Sequence, residues 1–152
     1  MGLKKTGFRF GAVAAVILAV VIVGGCGTAI KYSYEPRASF PELKTYQWAK
    51  SNFIYRQDSL LEANVQFLTD RVLEEKGLTK KPDKADLVAW MSYEYDYNSY
   101  NFQIRMLTLN ISRADNNELV WRGTAIGDIR TDAASGDLKK AVEEMLANFP
   151  PK

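Results

Sequence analysis

Residues 85–129, ADLVAWMSYEYDYNSYNFQIRMLTLNISRADNNELVWRGTAIGDI, decide the fold of this chain. Apolar and polar residues alternate along three segments, as they do in strands that bury one face. The segments are separated by NSYN at 98–101 and ADNN at 114–117, which are rich in residues that tolerate turn backbone angles. Because connections this short join antiparallel neighbours, the stretch predicts a three-stranded antiparallel meander.

Two helices are predicted on either side of the meander. Residues 58–78 carry an apolar stripe at helical spacing, formed by Leu61, Val65, Leu68 and Val72. A second helix is predicted from Asp137, with one apolar face formed by Leu138, Val142, Met145 and Phe149. Pro150 and Pro151 are expected to end it, because proline cannot continue a helix.

The ends of the first helix carry capping signals. Ser59 and Glu62 fit a capping box, and Asp58 is an alternative N-cap. Gly77 stands where a left-handed residue is wanted after the last turn, and Leu78 could then fold back on that turn as in a Schellman motif.

Two further strands are expected before the first helix. The first has Ile30, Tyr32 and Tyr34 alternating with polar residues, and the second covers 44–48 after a break at two prolines. The order ββαβββα predicts an α+β two-layer sandwich, with an antiparallel sheet and two helices packed on one face. We expect a single domain over residues 26–152, preceded by a cleaved signal peptide.

The N-terminus has the features of an export signal. Residues 1–9 hold three basic residues and no acids, and residues 10–25 form a run of 16 apolar residues. This favours a signal peptide over residues 1–25, although the run is long enough for an uncleaved anchor in the inner membrane. The MGLKKT opening also fits a myristoylation pattern, which is short and occurs often by chance.

The lone cysteine lies where the apolar run ends. Val23, Gly24, Gly25 and Cys26 resemble a bacterial lipobox. In lipoproteins of this kind the thiol takes a diacylglycerol and the cleaved chain begins at that cysteine. Buried acyl carbons contribute about 0.8 kcal/mol each, so two or three chains anchor a protein stably. The residue after the cysteine is Gly27 and not aspartate, which is the pattern expected for sorting to the outer membrane. The alternative interpretation of Cys26 is a chance cysteine at the end of a membrane helix.

Composition excludes several classes of function. The chain has no histidine and one cysteine, which excludes His-dependent triads, HExxH zinc sites, Cys-rich zinc sites and intrachain disulfides. Without residues 1–25 it holds 17 basic and 18 acidic residues, so no basic surface for nucleic acid is expected. No metal or cofactor is expected, and an enzyme would have to use carboxylates, Lys, Tyr or a bound cofactor.

The stretch SYEYDYNSY is the most suggestive candidate surface. On a strand, Tyr93, Tyr95 and Tyr97 line one face, while Glu94 and Asp96 line the other. The favoured interpretation is a half-buried strand, with the tyrosines on the core and the acids in water. The alternatives are binding of a cation, glycan or peptide, or a general acid/base pair.

Other polar positions have structural explanations. Arg122 points away from Trp121 on a strand and is a candidate surface contact. The oxygen-rich run 115–118 could bind calcium, but hairpin turns select these residues anyway. Asn110 matches a glycosylation sequon by chance.

The three tryptophans, Trp48, Trp90 and Trp121, are predicted to lie in the core.

Several segments together resemble the bacterial lipoprotein family catalogued as domain of unknown function 4136. The most specific marks are Lys44-Thr45-Tyr46 with Trp48, Ala85-Asp86, Val120-Trp121-Arg122-Gly123 and Phe149-Pro150-Pro151. The resemblance covers nearly all of the chain after the signal. It implies a secreted, lipid-anchored α+β domain in the bacterial envelope, and it supplies no activity, cofactor or catalytic residue.

These observations predict a non-enzymatic lipoprotein that faces the periplasm and is held in the membrane through Cys26. It would contact an envelope protein or a cell-wall polymer. Two alternatives stay open: a signal-anchored inner-membrane protein with the same domain outside, and a carboxylate-based hydrolase that uses Glu94 and Asp96.

Overall fold

The computed structural model of the chain describes residues 27–50, 58–96, 103–132 and 134–151. The predicted signal peptide over 1–25, the lipobox with Cys26, Tyr97 and the predicted turn at 98–101 lie outside these residues.

The described residues form one six-stranded sheet and two α-helices. The strands are β1 (Ala29–Tyr34), β2 (Thr45–Trp48), β3 (Thr79–Lys80), β4 (Leu87–Tyr95), β5 (Gln103–Arg113) and β6 (Leu119–Arg130). The helices are α1 (Ser59–Glu75) and α2 (Asp137–Leu146), with a short 3-10 helix at Phe40–Glu42. The strand order across the sheet is β1-β6-β5-β4-β2-β3. The predicted α+β fold is confirmed, and the predicted element order gains only the two-residue strand β3.

The meander forms as predicted. β4 pairs antiparallel with β5, and β5 pairs antiparallel with β6. In the turn between β5 and β6, Asn117 has a left-handed backbone with a φ of 58°. The Glu118 amide donates to Oδ1 of Asn116 at 2.9 Å, and Arg113 pairs with Asp115 at 2.6 Å. The side-chain oxygens of Asp115 and Asn116 therefore stabilise the turn, as the sequence predicts.

The sheet is mixed, whereas the sequence predicts an antiparallel one. β2 runs parallel to both β3 and β4. The cause is the connection, because the chain leaves β2, crosses through α1 and returns in the same direction. Connections that include a helix join parallel strands, while tight turns join antiparallel ones.

Asp58, the alternative cap, begins α1. Its side chain accepts hydrogen bonds from the amides of Leu60 and Leu61 at 3.0 and 2.9 Å, which places Ser59 inside the helix. At the other end Gly77 has a φ of 88°, and the Leu78 amide donates to the Leu73 carbonyl at 3.0 Å. The predicted Schellman motif is confirmed.

Both helices bury their predicted faces against the same side of the sheet. Leu61, Val65, Leu138, Val142 and Met145 all lie in the core cluster, and Leu68 and Val72 are partly buried at its border. Helix α2 ends at Leu146 instead of reaching Phe149, whose amide caps the last turn by donating to the Leu146 carbonyl at 3.0 Å. Among the described residues, no helix is long and apolar enough to span a bilayer.

Of the three tryptophans, Trp121 is in the core as predicted. Its ring meets the Phe149 ring edge-on at a centroid distance of 5.4 Å, and Phe149 meets Phe40 at 5.9 Å. Trp48 is partly buried at the border of the core. The prediction for Trp90 is wrong, since 36% of this residue is exposed. Trp90 lies on the opposite side of β4 from the buried residues Leu87 and Ala89.

Replacing Gly123 by alanine is expected to lower the free energy of unfolding by about 1–3 kcal/mol, the usual cost of overpacking a core. The indole of Trp121 lies over Gly123, so a methyl group there overlaps the ring. Urea unfolding followed by far-UV circular dichroism measures the change. Ser92→Ala, at an exposed strand position, is the control, and equal midpoints for the two variants would contradict the packing account.

Candidate functional site

The side of the sheet opposite the helices carries three rows of side chains, set by the strand register. The first row contains Trp90, Asn110, Arg122 and Ser33. The second row contains Ser92, Thr108, Thr124 and Lys31. The third row contains Glu94, Met106, Ile126 and Ala29. We call these twelve residues the open face. It runs from β4 across β5 and β6 to β1.

Hydrogen bonds between side chains organise the centre of the open face. The Arg122 Nε donates to Oδ1 of Asn110 at 2.7 Å, and the hydroxyls of Thr108 and Thr124 lie 3.1 Å apart. Asn110 is only 1% exposed, and its Nδ2 has no hydrogen-bond partner among the described residues. The centre is therefore a fixed and largely buried polar cluster, with one donor that has no partner among the described residues.

Charge on the open face is mainly positive. Arg122 and Lys31 are exposed, and neither is ion-paired within the described residues. Glu94 is the only carboxylate among the twelve residues, and it lies two rows from Arg122 at the β4 corner. A carboxylate ligand could approach the middle of the surface without meeting an acidic side chain there.

Tyr93 and Tyr95 point to the helix side of β4. The Tyr95 hydroxyl donates to Oδ2 of Asp58 at 2.6 Å, and the Tyr93 hydroxyl donates to Oε1 of Glu62 at 3.2 Å. Tyr93 also accepts a hydrogen bond from the Asp58 amide at 3.0 Å. Burial, followed by the negative charge of Glu62, raises the pKa of Tyr93 to about 12. The two rings meet edge-on at a centroid distance of 5.6 Å, and the hydrogen bonds of their hydroxyls hold the start of α1 against the sheet.

A second carboxylate joins α1 to strands β2 and β3. Oδ1 of Asp70 accepts hydrogen bonds from the Tyr46 hydroxyl and the Trp48 Nε1, both at 2.8 Å. Lys80 pairs with the other oxygen of Asp70 at 2.7 Å. Burial, followed by the hydrogen bond to Asp70, raises the pKa of Tyr46. Tyr46 and Trp48, two aromatic marks of the family that the chain resembles, therefore have a structural role here.

Two other family marks meet in space. Oδ2 of Asp86 accepts hydrogen bonds from the Lys44 amide at 3.0 Å, the Thr45 amide at 2.8 Å and the Thr45 hydroxyl at 2.7 Å. The Asp86 amide donates back to the same hydroxyl at 2.9 Å. The hydrogen bond from the Thr45 side chain is the main cause that lowers the pKa of Asp86, and the two backbone amides add to it. This clasp fixes the start of β2 beside the start of β4.

Acidification is expected to weaken the fold through Asp86 and Asp58. Hydrogen bonds from the Leu61 amide and then from Tyr95 are the main causes that lower the pKa of Asp58. A carboxyl whose pKa is lower in the folded state stabilises above its ordinary pKa of about 3.9 and loses that contribution as the pH falls through the folded-state pKa. The urea midpoint should therefore stay level from pH 7 to pH 5 and drop below about pH 4.

Asp86→Asn tests this dependence. The variant should be less stable at pH 7, because a neutral amide accepts from the Lys44 and Thr45 amides more weakly, and it should lose less stability on acidification. Asp83→Asn, at an exposed position nearby, is the control. A pH profile for Asp86→Asn that parallels the wild-type profile would show that Asp86 does not contribute.

The structure separates the candidate residues of the sequence analysis. Glu94 and Arg122 share the open face, whereas Tyr93 and Tyr95 lie on the helix side. Asp96 follows a β-bulge, and its amide donates to the Gln103 carbonyl at 3.2 Å. In the described part of the chain, no three acidic or cysteine side chains are grouped as metal ligands would be.

Sequence reasoning missed two residues of this site, Trp90 and Asn110. Strand alternation in the sequence does indicate the position of Trp90. If Tyr93 and Tyr95 face the core, then Trp90 and Glu94 face the opposite side of the strand. For Asn110 the sequence carried no signal, since its role depends on its neighbours on adjacent strands.

Comparison with known families supports the predicted resemblance. The family model described as domain of unknown function (DUF4136) matches residues 87–151, which contain β4, β5, β6 and α2. The resemblance is thereby confirmed over the meander and the last helix. No protein of curated function matches the chain in sequence.

Solved structures show the same fold at low sequence identity. A DUF4136 family protein from Bacteroides thetaiotaomicron is 13% identical, with a TM-score of 0.61 over 82% of this chain and 96% of that protein. A PelC dodecamer from Paraburkholderia phytofirmans is 13% identical, with a TM-score of 0.55 over 79% of this chain and 95% of PelC. A PDZ domain protein from Parabacteroides distasonis is 15% identical, with a TM-score of 0.60 over 82% of this chain. This chain covers 36% of that protein's length. At 13–15% sequence identity, these similarities show only that the fold is shared.

Proposed function

We propose that this chain is a lipid-anchored lipoprotein of the bacterial cell envelope, held in the outer membrane and facing the periplasm. In this proposal it is not an enzyme, and its domain binds an envelope protein or cell-wall polymer through the open face. The observation that carries the binding role is the exposed Trp90, which shares one row with Asn110 and with Arg122, a cation that has no ion pair within the described residues.

The sequence before the domain supports the anchor. Cys26 closes the lipobox, and β1 begins at Ala29, three residues later. Three extended residues span about 10 Å, so a domain anchored at Cys26 would lie against the membrane surface. β1 is also the strand that ends the open face, which would place this surface near the lipid headgroups.

The carboxylates of the fold support a binding role over catalysis. Asp58, Asp70 and Asp86 each accept hydrogen bonds that fix a helix end or a strand. The hydrolase alternative rests on Glu94 and Asp96, and the β-bulge between Glu94 and Tyr95 interrupts the regular spacing that would align them.

In-cell photo-crosslinking tests the proposed surface. A photoreactive amino acid at Ile126, which is exposed on the open face, should form adducts with an envelope component. The same amino acid at Phe67, an exposed residue on α1, is the matched control. Adducts at position 126 that are no more abundant than at position 67 would contradict the proposal.

A further inference from the structure

We propose that the ligand of the open face is a glycan that carries carboxylates. This inference rests on the proposed binding function and names the class of ligand. It is argued from three features of the first row and its neighbours: an exposed indole, buried hydrogen-bonding groups without a partner among the described residues, and positive charge that no described carboxylate pairs with.

Trp90 offers a stacking surface. It is 36% exposed, and its position on β4 turns the indole away from the helices. The face of an indole carries partial negative charge, whereas the C–H groups of a sugar ring carry partial positive charge. A pyranose ring can therefore lie flat on the indole, which leaves its hydroxyls at the rim for neighbouring polar groups.

Polar groups on both sides of Trp90 lack partners among the described residues. Nδ2 of Asn110, opposite Trp90 on β5, is a buried donor without an acceptor. Oε1 of Gln47 is a buried acceptor without a donor, and Gln47 pairs with Val88, which shares the Trp90 side of β4. A buried polar group without a partner is unfavourable. Because a hydroxyl both donates and accepts, sugar hydroxyls can satisfy a lone donor and a lone acceptor alike.

The charge of the surface favours an acidic sugar. The Nε of Arg122 donates to Oδ1 of Asn110 at 2.7 Å, and no carboxylate within the described residues pairs with its terminal nitrogens. A guanidinium binds a carboxylate through two parallel hydrogen bonds. Lys31, one row away on β1, adds a second cation within the described residues that no carboxylate neutralises.

The spacing of apolar groups favours a glycan over a protein partner. Protein interfaces have an apolar centre and a polar rim. Here the centre is polar, because Thr108, Thr124 and Asn110 occupy it, while Trp90 and Ile126 lie apart on the first and third rows. The first row crosses four strands, a length of about 14 Å that suits a short oligosaccharide segment.

Titration of the full chain in detergent micelles with hexagalacturonate tests the inference, and cellohexaose serves as the neutral hexamer. We expect hexagalacturonate to bind at least tenfold more tightly than cellohexaose. Trp90→Ala and Arg122→Gln should each weaken its binding at least tenfold. Phe67→Ala and Arg71→Gln remove an aromatic ring and a cation from exposed positions on α1, and they should leave the affinity unchanged.

Because Arg122→Gln also breaks the bond to Asn110, Lys31→Gln is the second charge variant and should weaken binding without altering the urea midpoint. The inference is overturned if wild type does not bind hexagalacturonate, if both hexamers bind equally, or if Trp90→Ala binds as wild type does. Should these fail while position 126 still crosslinks to an envelope protein, the glycan inference is wrong and the proposed function stands.

Discussion

Replacing Trp121 by alanine is expected to lower the free energy of unfolding by about 3–5 kcal/mol, the range for removing a large buried aromatic side chain. Trp121 is fully buried, its ring contacts Phe149, and Gly123 leaves room for the indole. The cavity would open between the meander and the segment after α2, so two distant parts of the chain would lose contact. Urea unfolding of the full chain, followed by far-UV circular dichroism, measures this loss.

Trp121→Phe is the matched control. It keeps an aromatic ring against Phe149 and removes the indole Nε1, which is buried without a partner among the described residues. Deleting an unsatisfied donor offsets part of the lost packing, so we expect less than half of the alanine effect. Equal losses for the two variants would show that the ring contact with Phe149 contributes little.

In the proposed lipoprotein, replacing Cys26 by serine is expected to abolish lipidation completely. A serine has no thiol to form the thioether to diacylglycerol, and in lipoproteins of this kind cleavage takes place before the lipidated cysteine. The variant should therefore incorporate no labelled fatty acid and should keep residues 1–25. Metabolic labelling, together with the mass of the purified chain, measures both effects.

Thr28→Ser is the control for Cys26→Ser, because it changes a nearby side chain and keeps the thiol. It should incorporate label as wild type does. Undiminished fatty-acid labelling of the Cys26→Ser chain would place the lipid elsewhere and would contradict the interpretation of residues 23–26 as a lipobox.

The features that could be predicted from the sequence are those that local chemistry determines. The ADNN turn, the Schellman motif at Gly77 and the apolar stripe of α1 each depend on residues close together in the chain. The sequence alone does not decide between Asp58 and Ser59 as the N-cap, because both side chains can accept hydrogen bonds from the first amides of the helix. The position of the helix start decides between them.

The features that the sequence did not reveal depend on contacts between distant segments. The parallel pairing of β2 with β4 follows from the path of α1 across the sheet, which no local pattern records. The Asp86 clasp joins Thr45 and Asp86, which are 41 positions apart, so no local pattern links the family marks at 44–45 and 85–86. The residue type of Trp90 favours the core, whereas strand alternation places Trp90 on the open face.

The N-terminal peptide of the protein, purified from native membranes, provides the most direct test of the central claim, that this is an anchored lipoprotein. Its mass should correspond to a chain that begins at Cys26 and carries two or three acyl groups. An unmodified Cys26 with residues 1–25 still attached would contradict the claim and would indicate a signal-anchored inner-membrane protein instead.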